Sequence, residues 1–97
     1  MAKRALLMAE ADDVATVIEA VCASDTVAVE TKQGEAVEEL VSAHDIPRFH
    51  KIALRDMAAH DIVHKYGQVI GEATASIKRG DYVHIHNIES IKTGVER

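Results

Sequence analysis

The sequence predicts one small domain that is mainly β with one α-helix. Its 97 residues suit a single domain, and 47% of them are hydrophobic. Phe49, Tyr66 and Tyr82 are the only Phe, Tyr or Trp residues, so the core must consist of Val, Ile, Leu, Ala and Met, which favours strands. We expect the domain to span residues 1–97, with its core at 5–88 and a tail at 89–97 that is docked on a partner or frayed.

The first elements in chain order are a strand and the predicted helix. Residues 5–8 form a short apolar run that is typical of a strand. Apolar residues then recur at spacings of three and four, which predicts an amphipathic helix with Asp12 as its N-cap. These residues are Val14, Val17, Ile18 and Val21. Cys22 is the single cysteine and falls on this helix, so we expect a buried thiol and no internal disulfide.

A β-hairpin is expected next. Its arms are residues 26–31 and 36–41, and the turn at 32–35 contains Gly34, which can adopt a positive φ. We interpret the glutamates of this region as a solvated face rather than as acid/base groups, because ionised carboxylates are seldom buried without partners. They are Glu30, Glu35, Glu38 and Glu39.

The second half of the chain contains a polar loop followed by short strands. The loop at 44–51 includes the lone proline, Pro47, which fixes its own φ and favours an extended residue before it. The later elements are a strand at 52–54, a turn at 55–60, extended segments at 61–67 and 68–77, a turn at 78–81 and a strand at 82–87. Gly71 predicts a bulge or a close approach of the backbone.

One short pattern repeats. Asp-x-Val-His occurs at 61–64 and again at 81–84, each time after a turn and at the start of a strand. The repeat fits a small β-fold built from two similar halves around a pseudo-twofold axis.

Charge and composition exclude several classes of function. The net charge is −5 with neutral histidines, and the basic pair Lys78-Arg79 is too short for a nucleic-acid-binding patch. The sequence shows no signal peptide and no transmembrane run, so we expect a cytoplasmic protein without membrane association. The six histidines make its charge sensitive to pH near neutrality.

His84 and His86 are the strongest candidates for residues of a functional site. On a strand they would point the same way, about 7 Å apart at Cα, and Asn87 would add an amide donor and acceptor. Two imidazoles are fewer ligands than a metal needs, so further ligands would come from His50, His64 or another chain. Metal ligation, contact with a substrate or partner, and a purely structural role all remain open.

Lys65 and Tyr66 are candidates for binding a carboxylate, through an ammonium group and a hydroxyl donor. The alternative is that Tyr66 packs in the core while Lys65 is solvated. The sequence contains no Gly-rich nucleotide-binding fingerprint, and no Ser–His–Asp or Cys–His nucleophile can be assembled from it.

A series of short motifs follows in order from residue 6 to residue 88. They are Asp13-Val14-Ala15, His50-Lys51-Ile52-Ala53-Leu54, Lys65-Tyr66-Gly67, Ile70-Gly71-Glu72-Ala73, Ile77, Gly80 and Val83-His84-Ile85-His86-Asn87. Together they resemble the amino-terminal SAF domain of the altronate/galactarate dehydratase family. The resemblance implies a β-clip fold, like that of type III antifreeze proteins, in which short coiled strands are accompanied by one helix.

The resemblance also implies a function. The complete enzyme of this family removes water from a sugar acid with a divalent metal, usually iron, and most of its machinery belongs to a large catalytic subunit. Because the chain begins at Met1 and ends at Arg97, it resembles a free small subunit that completes the site and is inactive alone. The substrate-binding residues would be His50, Lys51, Lys65, Tyr66, His84, His86 and Asn87, with His84 and His86 also as metal ligands.

Two other functions stay open. One is the small subunit of a sulfolactate sulfo-lyase, and the other is a non-enzymatic β-clip module that binds carbohydrate or protein. Exposed strand edges and a small core also leave self-association into a homo-oligomer open.

Several positions depart from the family pattern. Phe49 stands where a Gly usually precedes the His-Lys pair, and His60 also replaces a common Gly. Asp13 stands in place of Asn, and His64 adds a histidine before Lys65. Because a glycine conformation is costly for Phe, we expect an altered loop before His50 and expect Phe49 to distinguish this chain most from its relatives.

Overall fold

The computed structural model describes residues 2–65, 67–84 and 86–89, and these contain nine β-strands and no helix. The strands are β1 (Lys3–Leu7), β2 (Val14–Val17), β3 (Thr26–Thr31), β4 (Ala36–Val41), β5 (Lys51–Ala53), β6 (Ile62–Lys65), β7 (Gln68–Ala73), β8 (Tyr82–Val83) and β9 (Ile88–Glu89). Six of them form a sheet in the order β4-β3-β1-β2-β5-β8, and the other three form the sheet β6-β7-β9. Only the pairing of β1 with β3 is parallel among these described strands. None of the described residues forms a helix that could cross a membrane.

The helix predicted from Asp12 onward is wrong, because its first apolar residues form β2. This strand lies between β1 and β5, antiparallel to both, and all of its residues are buried. A strand covered on both faces buries every residue and suits β-branched side chains, whereas an amphipathic helix would leave one face exposed. Val21 is buried separately, in an isolated bridge with Ile46. The spacing of Val14, Val17, Ile18 and Val21 that predicted a helix therefore arises from a strand, a bend and an isolated bridge.

Two further predictions are corrected by the same kind of local geometry. Cys22 is exposed rather than buried, because it enters a turn directly after Val21. The strand expected at 82–87 ends at Val83, where the chain bends and turns before β9. The tail predicted at 89–97 lies outside the described residues from Ser90 onward.

Several predictions for the sheets are confirmed. The hairpin of β3 and β4 has the expected arms, and Gly34 in its turn has a φ of 90°. The register between β6 and β7 shifts between Val63 and His64, and Gly71 pairs with Val63 beside this irregularity. The bulge expected at Gly71 is therefore present.

Two clusters of buried side chains cover opposite faces of β2 and β5. Ala15, Val17 and Ile52 belong to the first cluster, whereas Val14 and Ala53 belong to the second. Since successive side chains of a strand point to opposite faces, each of these two strands contributes to both clusters. Because side chains pack on both faces of β2 and β5, these strands hold the residues at their ends in fixed positions.

One turn geometry occurs four times in the described part of the chain. Each turn contains a residue with positive φ, three positions after a buried apolar residue; these are Ser24 (77°), Phe49 (71°), His60 (76°) and Gly80 (95°). Their N–H groups donate to carbonyls at or next to strand ends, respectively those of Ser42, Val17, Ala73 and Ala53. The buried residues pair as Val21 with Ile46 and Met57 with Ile77. The repeat noted at 61–64 and 81–84 begins directly after the third and fourth turns. The arrangement of two similar halves around a pseudo-twofold axis stays a prediction.

Phe49 adopts the same turn geometry as the residues at the equivalent positions of two other turns. Its φ of 71° is close to those of Ser24 and His60. A bulky L-residue in this left-handed region costs about 1–2 kcal/mol relative to glycine. Phe49 therefore retains a strained backbone conformation, and a loop that differs from that of other family members stays a prediction.

Thr16 is a weak point of β2. Its Oγ1 atom is buried without a hydrogen-bond partner among the described residues. Thr16→Val is therefore expected to raise the free energy of unfolding by about 1 kcal/mol, because it removes an unsatisfied polar atom at nearly constant volume. Urea denaturation measures the change, with Thr26→Val as the control at an exposed position of β3. A destabilised Thr16→Val variant would show that the hydroxyl has a partner after all.

Candidate functional site

Four ring side chains meet where β5 begins and β8 ends, and we call them the ring cluster. They are His50, Tyr82, His84 and His86. The ring of Tyr82 stacks on that of His84 at 5.7 Å and 10°, and lies 5.3 Å from the ring of His86. The rings of His50 and His84 are 4.7 Å apart. His84 and His86 do not share a strand as predicted, yet both contact the same tyrosine ring.

His50 is available to the ring cluster because of an exception in the repeated turn. In each of the other three turns, the residue directly after the one with positive φ is an aspartate. Its carboxylate accepts the N–H group of the residue three positions earlier, at 2.8–2.9 Å. These aspartates are Asp25, Asp61 and Asp81. The second turn has Pro47 at that earlier position, and proline has no N–H to donate. No carboxylate is needed, and His50 instead directs Nδ1 to the Tyr82 hydroxyl at 2.7 Å.

Asn87 holds the turn that carries the two later histidines. Its Oδ1 accepts the N–H of His84 at 2.9 Å, and its Nδ2 donates to the carbonyl of Tyr82 at 2.8 Å. The side chain is buried, with 8% of the residue exposed. The structure therefore places the amide of Asn87 against the backbone, where it fixes the positions of Tyr82 and His84.

Lys51 and Lys65 place positive charge close to the ring cluster. Burial, followed by the charge of Lys65, lowers the pKa of Lys51 from its usual value of 10.5. Desolvation, followed by the charges of His50, Lys51 and His86, lowers the pKa of His84 from 6.5. Like charges shift a pKa in this way when they lie close together. In a chain with a net charge of −5, this surface is suited to an anionic group.

The lowered pKa of His84 can be measured directly on the isolated chain. In an NMR titration His84 is expected to deprotonate below pH 6.5, and Lys51→Met should raise its pKa by removing a nearby positive charge. Because the folded state disfavours the protonated imidazole, this histidine lowers the free energy of unfolding as the pH falls below 6.5. Lys78→Met, in an exposed turn, is the control. A His84 pKa at or above 6.5 would contradict this electrostatic picture.

The remaining predicted site residues are only partly brought together. Lys51 starts β5 beside the ring cluster. Lys65 lies at the end of β6, and its positive charge contributes, after burial, to the lowered pKa of Lys51. Tyr66 lies outside the described residues. His64, an alternative metal ligand, instead contacts Asp13.

The ring cluster by itself does not fit a metal ion. The described residues contain no group of three or more His, Cys, Asp or Glu side chains placed to hold one. Nδ1 of His50 is engaged with Tyr82, and the ammonium group of Lys51 acts on His84 as a competing positive charge. His84 and His86 would need ligands from outside this part of the chain to bind iron.

Two buried aspartates were missed as structural residues by the sequence prediction. Asp12 is fully buried, and its carboxylate accepts the N–H groups of Ala9 at 3.0 Å and Gly67 at 2.8 Å. It therefore joins the β1–β2 connection to the β6–β7 turn and does not cap a helix. A pair of acidic residues directly before the mainly apolar run Val14–Val17 was the available signal, because buried carboxylates need hydrogen-bond donors as partners.

Asp13 links the same elements through a second set of contacts. Its carboxylate accepts the backbone N–H of His64 at 2.8 Å and lies 3.0 Å from Nδ1 of that histidine. Its other oxygen is 3.1 Å from Nε of Arg55. These contacts secure β6, and with it the position of Lys65, against the start of β2.

Comparison with known proteins identifies one family. The family model for the altronate/galactarate dehydratase SAF domain matches residues 3–91. The chain is 44% identical over 45 residues to (2R)-sulfolactate sulfo-lyase subunit alpha of Chromohalobacter salexigens, which covers 46% of this chain and 48% of that subunit. It is 39% identical over 51 residues to the subunit of the same name from Paracoccus pantotrophus, covering 53% of this chain and 76% of that subunit.

A larger enzyme shows a similar match. Altronate dehydratase of Bacillus subtilis is 44% identical over 46 residues, which cover 47% of this chain and 9% of that enzyme. The matched part therefore spans about half of the Chromohalobacter subunit and less than a tenth of the Bacillus dehydratase.

Proposed function

Because the chain belongs to the altronate/galactarate dehydratase SAF-domain family, we propose that it is the small subunit of a metal-dependent sugar-acid dehydratase. It completes an active site that is carried mainly by a large catalytic subunit. The observation that carries this proposal is the ring cluster beside the ammonium group of Lys51, in a chain whose net charge is −5. The proposed compartment is the cytoplasm.

The ring cluster would bind and orient the acid group of the substrate. Lys51 supplies positive charge for a carboxylate, and the imidazoles next to Tyr82 supply hydrogen-bonding nitrogens. When the Tyr82 hydroxyl donates to Nδ1 of His50, that imidazole carries its proton on Nε2 and can donate it to a substrate oxygen. The divalent metal of the complete enzyme, proposed to be iron, would be held by the large subunit and polarise the acid or the leaving hydroxyl.

A second candidate is the small subunit of a sulfolactate sulfo-lyase. The observation in its favour is the similarity to two subunits of that name, 44% identical over 45 residues and 39% identical over 51 residues. Sulfolactate carries a carboxylate and a sulfonate, and both are anions that Lys51 beside the ring cluster can attract.

Reconstitution tests the proposal. The chain and a candidate large subunit of the same dehydratase family would be purified separately, loaded with Fe²⁺ and assayed on altronate, galactarate and (2R)-sulfolactate. We expect no turnover from the chain alone and turnover by the mixture, and the substrate consumed decides between the two candidates.

Two results would contradict the proposal. Turnover of altronate by the isolated chain would assign the whole reaction to it, and a large subunit whose activity is unaffected by the chain would remove its role in the active site. Tight binding of carbohydrate or protein by the chain without any effect on the large subunit would favour a non-enzymatic module.

A further inference from the structure

Phe49 combines two features that no other described residue combines. It is a large apolar side chain that is 61% exposed, and its backbone is in the left-handed region with a φ of 71°. At the equivalent position the other three turns have Ser24, His60 and Gly80. The turn therefore does not require an aromatic residue, and a smaller one would be less strained.

The ring of Phe49 has little to pack against within the described chain. The Phe49 ring contacts Arg48, whose guanidinium carbon lies 4.6 Å from the ring centroid. The ring does not belong to either cluster of buried side chains. Strain of this kind persists at recognition sites, where the contact that compensates for it is made with another molecule.

The position of Phe49 relates this ring to the proposed active site. The next residue is His50, whose imidazole is 4.7 Å from that of His84 and bonded to Tyr82. A surface that covers Phe49 would therefore come to lie beside the ring cluster. Arg48 on the ring adds a positive charge at the edge of that contact.

We propose that Phe49 is an anchor residue for the large catalytic subunit, inserting its ring into an apolar pocket with an acidic group at the rim for Arg48. This inference rests on the proposed function and extends it, because it assigns the contact that closes the large subunit over the ring cluster. Exposed aromatic residues that become fully buried in a partner pocket dominate the affinity of many interfaces.

The experiment compares glycine substitutions at three equivalent turns. Phe49→Gly is paired with Ser24→Gly and His60→Gly, which remove the same positive-φ side-chain strain at positions distant in sequence from His50. The large subunit is titrated with each chain, and the half-saturating concentration, the limiting turnover and the thermal unfolding midpoint are recorded. Phe49→Asn is a second variant, since asparagine tolerates the left-handed region.

We expect Phe49→Gly and Phe49→Asn to weaken association with the large subunit at least about 30-fold, the effect of a strong anchor residue. The unfolding midpoints should be unchanged or higher, and the limiting turnover should approach that of the wild type, since the ring cluster is intact. The control variants should associate normally.

Three results would overturn the inference. Normal association of both Phe49 variants, in an enzyme whose turnover still needs the ring cluster, would refute the anchor but leave the proposed function intact. A lowered unfolding midpoint in both variants would show that the ring stabilises the chain itself. If the wild-type chain and the large subunit do not associate at all, the proposed function fails together with the anchor.

Discussion

Replacing His84 and His86 together by alanine is expected to lower the turnover of the assembled enzyme about 100-fold or more. The two imidazoles both contact the Tyr82 ring and would contact the acid group of the substrate, and the loss of such groups has effects of this size. Steady-state kinetics of the reconstituted enzyme measures the change. His86 is exposed and His84 half-buried, so the chain should remain folded with a nearly unchanged free energy of unfolding.

The matched control for this variant is His60→Asn. His60 is an exposed histidine outside the ring cluster, and asparagine suits its φ of 76°. Its replacement should leave turnover unchanged. Equal turnover of the double variant and the wild type would reject the role assigned to the two histidines.

Gly80→Ala is expected to cause the largest loss of stability, about 3 kcal/mol or more. A Cβ atom at this position would lie 2.5 Å from the carbonyl oxygen of Val41, and the φ of 95° is itself unfavourable for alanine. The surrounding backbone cannot shift freely, because the N–H of Gly80 donates to Ala53 and its carbonyl accepts from Ala43, both at 2.9 Å. Urea denaturation followed by circular dichroism measures the loss.

Gly34→Ala separates the two causes of this loss. Gly34 has a similar φ of 90°, but a Cβ atom there would meet nothing within 4 Å. Its replacement should therefore cost only about 1 kcal/mol, the conformational penalty alone. Equal losses at the two glycines would mean that the close approach at Gly80 does not exist.

The sequence allowed most of the sheets to be predicted, and the reasons are local. Residues 26–31 are rich in Val and Thr, and together with residues 36–41 they flank a glycine turn, so the hairpin could be assigned with its bounds. Val14–Val17 could not be assigned correctly, because a strand buried on both faces lacks alternation and its neighbours supplied a helical spacing by coincidence. Burial on both faces depends on tertiary packing, which a single sequence does not state.

The candidate site was predictable as a set of residues but not as an arrangement. His84 and His86 were identified from their spacing, yet they meet around Tyr82 through a turn that is fixed by the buried amide of Asn87. The reason for the position of His50 becomes visible only when the turns are superposed and Pro47 is found where the others have an N–H donor. Such equivalences need three-dimensional structure.

The ring cluster of this chain is proposed to form part of an active site that is carried mainly by the large subunit. Competition tests it most directly: an excess of the His84→Ala/His86→Ala chain is added to the reconstituted wild-type enzyme, and turnover is followed. The variant should displace the wild-type chain and inhibit turnover in proportion to its share of the complex. Displacement of the wild-type chain, seen by a fluorescent label, without loss of turnover would contradict the claim.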